Sequence, residues 1–382
     1  MHTTSTPVDH RAARSDGEAR SAWADNLKVV LVAGVIVAHT TMAWTHVGNW
    51  VFREPVVREP LLSALTLVTA VVSLFGMPLF FLVAGYFTPM SLSRKGLGRF
   101  VADRAVRLLV PMVAFAVLLS PPIEFVDPDN AGWPGGFWDF VPRILWPPVP
   151  GPAWFLGVLF VFSLGYGLLR RVVPPRAPST RVPAMRHLFL IALAVAVAAF
   201  PIMVKAPLGE EAWHLAVAQA PAWLAGFALG VLARERRWLP VQPQLRRRIR
   251  RTAWLAMFGC LLVFVLGTVS GMDMALLLGG GSWQSAVVAL VEGLLVVFAS
   301  LWVVDVFQRR FDARGVRGEA LGRAAYGAFL VHQGVLVALV LGSRPLGWPP
   351  EAAYVAVTAM GVAGSFAIGL LLTRVPGVRR IV

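Results

Sequence analysis

The sequence predicts an all-α polytopic membrane protein with ten transmembrane helices and both termini cytoplasmic, and three observations predict it. Of its 382 residues 57% are apolar and only 14% charged, where an ordinary globular domain carries about 25% charged residues. Mean hydropathy is +0.68, and the apolar residues gather into blocks about 20 residues long, enough for a helix to cross a hydrocarbon layer of about 30 Å. Between the blocks, basic residues are dense in every second gap. This excludes a water-soluble enzyme.

Taken in order, residues 1–24 hold Arg11, Arg14, Arg20, Asp9, Asp16 and Glu18 without an apolar run. They form a polar cytoplasmic tail with no cleavable signal peptide, so the first helix itself directs insertion. Residues 25–382 form the membrane domain, with spans at 27–46, 62–87, 104–121, 153–170, 187–203, 213–233, 252–271, 283–307, 321–342 and 352–373. The tail with Lys28, the even-numbered loops and the C-terminal end together hold 30 of the 35 Lys and Arg residues, and the odd-numbered loops hold 5. Cytoplasmic segments carry most basic residues, and one helix more or fewer would scramble the alternation. The location this implies is the cell (inner) membrane.

A net charge of +15 raises the question of nucleic acid, but a DNA-binding domain carries its arginines on one folded soluble face. Here they sit between apolar blocks, so no nucleic-acid partner is expected. Cys260, the single cysteine, lies inside an apolar block; neither an intramolecular disulfide nor a cysteine metal cluster can form, and no metal is expected. The longest outward loop, 122–152, mixes Glu124, Asp127, Asp129 and Asp139 with Trp133, Trp138 and Trp146. Its indoles serve either to stack on a sugar or as an interfacial aromatic belt. The arginine-rich loop 234–251 is either a topology signal or a contact with anionic membrane lipid. Gly226 and Gly230, four apart, let helices approach closely within one protomer or between two.

A titratable group at mid-bilayer is costly and points to function or pairing. His39 lies roughly 18 Å and His332 roughly 16 Å along their spans from the cytoplasmic side, and Glu292, on an inward-running span, falls near the same depth. Three helices thus bring two imidazoles and a carboxylate to one level, with Glu292 expected to partner one histidine or to pair with another helix. Lys28 and His39 are eleven residues apart, within about 20° of one helical face, and His46 continues the stripe. Lys28 either snorkels as an anchor or holds the anionic head of a long ligand whose reactive end reaches His39. In 91-SLSRKGLGRFVADRAVRLLVP-111, Arg104 and Arg107 are three apart on one face at the cytoplasmic rim, where two guanidiniums can grip phosphates.

Five strings in order resemble the acyltransferase-3 family of integral membrane acyltransferases: 25-DNLKVVLVAGVIVAH-39, 76-GMPLFFLVAGYF-87, 103-DRAVRLLVP-111, 151-GPAWFL-156 and 326-YGAFLVH-332. The likeness covers about residues 25–375, and the DNLK and GPAWFL strings resemble the branch that succinylates glucans rather than the branch with a fused extracytoplasmic esterase-type domain. The resemblance implies that His39 is the essential catalytic histidine, that Lys28 replaces the family's usual arginine, and that Arg104 and Arg107 are the pair associated with acyl-CoA. It also aligns Trp154 with the tryptophan of the family's WFL string, and Tyr326 and His332 with its late tyrosine–histidine string. Ala84 stands where much of the family has serine, so no hydroxyl role carries over, and Lys28 offers a point charge instead of a fork.

The expectation is a membrane O-acyltransferase with no permanently bound cofactor. It would take an acyl group, such as acetyl, from cytoplasmic acyl-CoA as co-substrate and pass it to a hydroxyl of an extracytoplasmic glycan or glycosylated metabolite. His39 would be the general base, with Glu292 and His332 beside it, and Trp154 and Tyr326 would line the acceptor pocket. The rival reading is a proton-coupled secondary transporter or exporter of a glycan precursor or lipid, with the midplane histidines and Glu292 relaying protons.

Overall fold

Among the described residues, ten apolar segments become ten long helices: α1 (Ala22–Thr45), α2 (Leu61–Lys95), α3 (Leu97–Phe125), α4 (Gly151–Val172), α5 (Met185–Lys205), α6 (Val217–Glu235), α7 (Pro243–Val269), α8 (Trp283–Arg310), α9 (Val316–Leu346) and α10 (Pro350–Leu372). The computed structural model describes residues 21–48, 50–174, 183–212, 214–313 and 315–378. Most of the expected tail, Arg176 and Arg181 of the fourth loop, and Arg379 and Arg380 lie outside the described residues. No strand forms among the described residues, as a bilayer requires of a chain that satisfies its backbone within single segments.

Each expected span lies largely within one of these helices, and the differences are at the ends. Helix α1 begins at Ala22, several residues before its apolar run. Trp23 is buried against Tyr86 and Phe87, and its N–H donates to Asp312 Oδ1 at 3.0 Å. Helix α3 contains wide π turns at Ala105–Leu109 and Phe115–Leu119, and α8 contains one at Leu295–Ala299.

Loop contacts fix the two faces. Asn26 near the start of α1 donates to the Phe311 carbonyl between α8 and α9 at 2.7 Å, so these ends share one face, called here the terminal face. On the opposite face Arg58 N–H donates to Glu351 Oε1 at 2.9 Å, and Leu208 N–H to the Leu278 carbonyl at 2.8 Å.

Among the described residues the interior holds two large apolar cores and a small cluster of Val195, Ala222 and Val296. One gathers α5, α7 and α8 with parts of α2 and α6 around Leu188, Ala196, Ala253, Val288 and Phe298. The other gathers α1, α3, α4, α9 and α10 around Ile36, Phe115, Leu156, Leu336 and Val357, and also takes in Phe81 of α2 and Trp223 of α6. Helices α2 and α6 join them. A Cβ on Gly226 or Gly230 would overlap the backbone carbonyl of Pro78 or Leu82, so this four-residue glycine spacing seals a crossing within the chain.

Candidate active site

Helix α1 packs against α9 and α10, and this brings the two membrane histidines together. His39 Nδ1 lies 2.8 Å from His332 Nε2, and the rings are nearly parallel, with centroids 5.0 Å apart. The other ring nitrogen of His332, Nδ1, lies 2.6 Å from the Phe329 carbonyl oxygen. A carbonyl only accepts, so Nδ1 of His332 carries a hydrogen, and in the neutral ring Nε2 is then the acceptor. His39 must therefore donate from Nδ1, which leaves the lone pair on His39 Nε2, a nitrogen with no hydrogen-bond partner among the described residues. The result is a one-way chain, from His39 through His332 to a backbone carbonyl, that fixes one tautomer and frees one basic nitrogen.

The loop between α1 and α2 roofs this nitrogen-bearing ring. Trp50 stacks on His39 with centroids 4.6 Å apart and planes 21° apart. The loop is pinned by Glu54 N–H to the Ala43 carbonyl at 2.9 Å and Val57 N–H to the Trp44 carbonyl at 3.2 Å. His46, expected to continue the α1 stripe, instead leaves the helix with φ 57° and donates from Nε2 to the Glu54 carbonyl at 2.8 Å. The Glu54 side chain, nearly buried, pairs with Arg344 at 2.6 Å, and the Arg344 guanidinium lies over the Phe52 ring at 4.5 Å.

Below the histidines, α9 carries the site toward the terminal face. Tyr326, about a turn and a half before His332, donates its hydroxyl to the Arg107 carbonyl at 2.6 Å and so ties α9 to the basic end of α3. Lys95 and Arg107 flank one carboxylate: Arg107 Nε lies 3.3 Å from Asp103 and Lys95 Nζ 2.7 Å from it. The expected common face for the two guanidiniums is modified, because the wide turn beginning at Ala105 changes the angle per residue. Arg107 is exposed, while Arg104 lies over the Phe100 ring at 5.5 Å with a buried, unpartnered Nε. Lys28 is half-exposed and pairs with Asp25 at 2.6 Å.

Trp154 begins the first full helical turn of α4 and packs at a tilt of 31° against Trp223 of α6, with centroids 4.4 Å apart. Just before it, Gly151 has φ +44°, and a Cβ there would fall 2.7 Å from Gln333 Oε1. The GPAWFL string therefore sits against the residue that follows His332.

Glu292 does not join the histidines. It is fully buried on α8, and neither carboxylate oxygen makes a hydrogen bond to a described residue. Its helical neighbours Val288, Ala289 and Leu295 belong to the core of α5, α7 and α8. The Gln219 amide faces it without closing a well-formed bond and donates instead to the Ser73 carbonyl at 3.3 Å. The expected depth was shared, but the helix carrying Glu292 lies in the other half of the bundle.

Residues 21–373 match a protein-family model described as an acyltransferase domain. The chain belongs to this acyltransferase family. It is also similar to proteins named glucans biosynthesis protein C from Salmonella heidelberg (strain SL476) and Salmonella schwarzengrund (strain CVM19633). Each is 24% identical over 288 residues, covering 70% of this chain and 71% of the relative. No solved structure matches. The chain is thus a multi-pass membrane acyltransferase, similar to proteins of glucan biosynthesis.

Sequence reasoning about this acyltransferase missed several residues that the fold brings to the site. Asp25 and Asp103 were within reach, at i, i+3 to Lys28 and i, i+4 to Arg107, the spacings at which helical ion pairs form. Trp50, Trp223 and Gln333 carry no comparable signal, because only tertiary packing sets them against His39, Trp154 and Gly151.

Proposed function

We propose that the protein transfers an acyl group from acyl-CoA, bound at a cytoplasmic terminal face, to a hydroxyl of a glycan or glycosylated metabolite that reaches His39 from the other side. The observation that carries this reading is the hydrogen-bond chain that leaves His39 Nε2 as a free lone pair beneath Trp50. That nitrogen removes the acceptor's hydroxyl proton as the oxygen attacks the thioester carbonyl carbon. The tetrahedral intermediate collapses with cleavage of the carbon–sulfur bond, and the CoA thiolate leaves with the proton returned by His39. His332 acts as a positioning residue: it selects the tautomer and accepts the hydrogen bond of the transient imidazolium, the part an orienting group plays in catalytic triads.

Arg104 and Arg107 suit the CoA phosphates. They stand at the terminal end of a line that passes Tyr326 and Phe329 to His332, and the guanidinium fork binds phosphate bidentately. The alternation of basic residues along the sequence, with 30 of 35 in the two ends and the even-numbered loops, supports the cytoplasmic placement of the terminal face. The test is thermal unfolding of the purified protein in nanodiscs with acetyl-CoA, a longer acyl-CoA or free CoA. A saturable rise with acyl-CoA is expected, weakened in Arg104→Ala and retained in His39→Ala, which loses acyl transfer. No rise with any of the three would defeat the donor assignment, and wild-type transfer by His39→Ala would defeat the base.

A further inference from the structure

A second basic site lies in the other half of the bundle from Arg104 and Arg107. At the terminal end of α7 and α8, Arg246, Arg250, Arg309 and Arg310 line a pocket of about 260 Å³ together with Trp254 and Trp302. The two indoles lie against each other at a tilt of 53°, with centroids 5.3 Å apart. Asp305, nearly buried, neutralises only part of this charge: Arg246 Nε lies 3.0 Å and the Arg309 guanidinium 2.9 Å from its Oδ2. Arg246 also donates to the Val241 carbonyl at 2.8 Å. Arg250 and Arg310 are exposed and make no ion pair with any described residue. One carboxylate among four guanidiniums leaves the pocket strongly positive, with two guanidiniums held in place and two free to grip an anion.

The surroundings decide which anion. Arg246 and Arg250 begin an i, i+4 ridge on α7 that continues through Trp254, Phe258, Leu262 and Leu266. The last four are outward-facing, with 54%, 63%, 45% and 57% of their surface exposed. The pocket therefore opens sideways onto an apolar ridge long enough to lie along an acyl chain, with indoles at the level where membrane tryptophans meet headgroups. A soluble nucleotide would use the guanidiniums but leave that ridge without a role. A lipid phosphate with its chains on α7 uses both. We propose that this pocket binds the headgroup phosphate of an anionic phospholipid, with Arg250 and Arg310 as its principal ligands and Arg246 and Arg309 held by Asp305 to complete the rim. The site is separate from the acyl-transfer site and does not depend on the proposed substrates.

The experiment compares thermal unfolding of the full-length protein in nanodiscs of phosphatidylcholine alone and of phosphatidylcholine with phosphatidylglycerol, with bound lipid read by native mass spectrometry. Wild type is expected to unfold roughly 2 °C or more higher with phosphatidylglycerol and to retain that lipid in the spectrometer. Arg250→Gln/Arg310→Gln should lose both effects while unfolding like wild type in phosphatidylcholine. Arg250→Lys/Arg310→Lys, which keeps the charges, serves as the folded comparison should the glutamine variant unfold in neutral lipid, and it should recover part of the rise. Arg247→Gln/Arg251→Gln removes the same charge outside the pocket and should leave the rise intact. Equal loss in that control would show diffuse surface attraction and overturn the proposal. So would a rise that survives Arg250→Gln/Arg310→Gln, or an equal rise in pure phosphatidylcholine on adding inorganic phosphate or ADP.

Discussion

The two halves of the bundle treat a buried titratable group in opposite ways. In the half built on α1, α9 and α10, His39 and His332 satisfy each other and end on a backbone carbonyl, at 2.8 Å and 2.6 Å. In the half built on α5, α7 and α8, Glu292 is as buried as His332, and neither oxygen makes a hydrogen bond to a described residue. Both lie deep in their spans, and by depth alone they belong to one site. The difference teaches that a membrane site is defined by which helices are neighbours. Depth reports position along the bilayer normal, while hydrogen bonding requires lateral contact as well. The partnered pair holds one tautomer, as the proposed reaction requires, and the carboxyl of Glu292 lies among the apolar side chains of the other half.

The comparison breaks most sharply at His39. His39→Ala removes the free base, and acyl transfer is expected to fall by roughly 1,000-fold with little change in acyl-CoA-dependent thermal stabilisation. Residual transfer near wild type would mean that the histidine half is merely structural. The next largest effect belongs to His332→Ala, which frees the His39 ring to adopt either tautomer. A loss of about 100-fold in kcat, with a smaller change in the KM for acyl-CoA, separates this positioning role from donor binding.

Arg344→Ala sharpens the comparison from the roof of the site. It leaves the nearly buried Glu54 without its ion pair and loosens the loop that carries Trp50. Because the Arg344 side chain is 42% exposed, the expected loss is modest, about 1 to 2 kcal/mol by thermal unfolding. The smallest effect is expected in the other half: Glu292→Gln, a neutral isostere, should leave transfer within about 3-fold of wild type and stability within about 1 kcal/mol. A collapse of activity in Glu292→Gln would erase the distinction between the halves and bring Glu292 back into the reaction.

Much of this architecture is legible in the chain. Ten apolar blocks of sufficient length, separated by alternating basic loops, specify ten spans, because hydrocarbon thickness sets helix length and unsatisfied backbone is excluded from lipid. The depths of His39 and His332 are legible for the same reason, since the rise per residue is fixed. The glycines at 226 and 230 announce a close crossing, but not its partner; the fold shows it to be α2. Helix ends are less legible. Trp23 extends α1 backwards because Tyr86, Phe87 and Asp312 receive it, and all three come from elsewhere in the chain.

The sequence by itself determined the ten-helix membrane fold, the alternation of its ends and the resemblance to membrane acyltransferases, because each is written in local composition or short strings. Only the tertiary structure decided that His332 meets His39 while Glu292 does not, that Trp50 roofs the His39 ring, and that four arginines and two indoles converge at the ends of α7 and α8. The physical reason is dimensional. Hydropathy and helical rise fix one coordinate of each side chain, along the membrane normal. The two lateral coordinates follow from side-chain packing between helices distant in sequence, and within an apolar bilayer no hydropathy pattern distinguishes one neighbour from another.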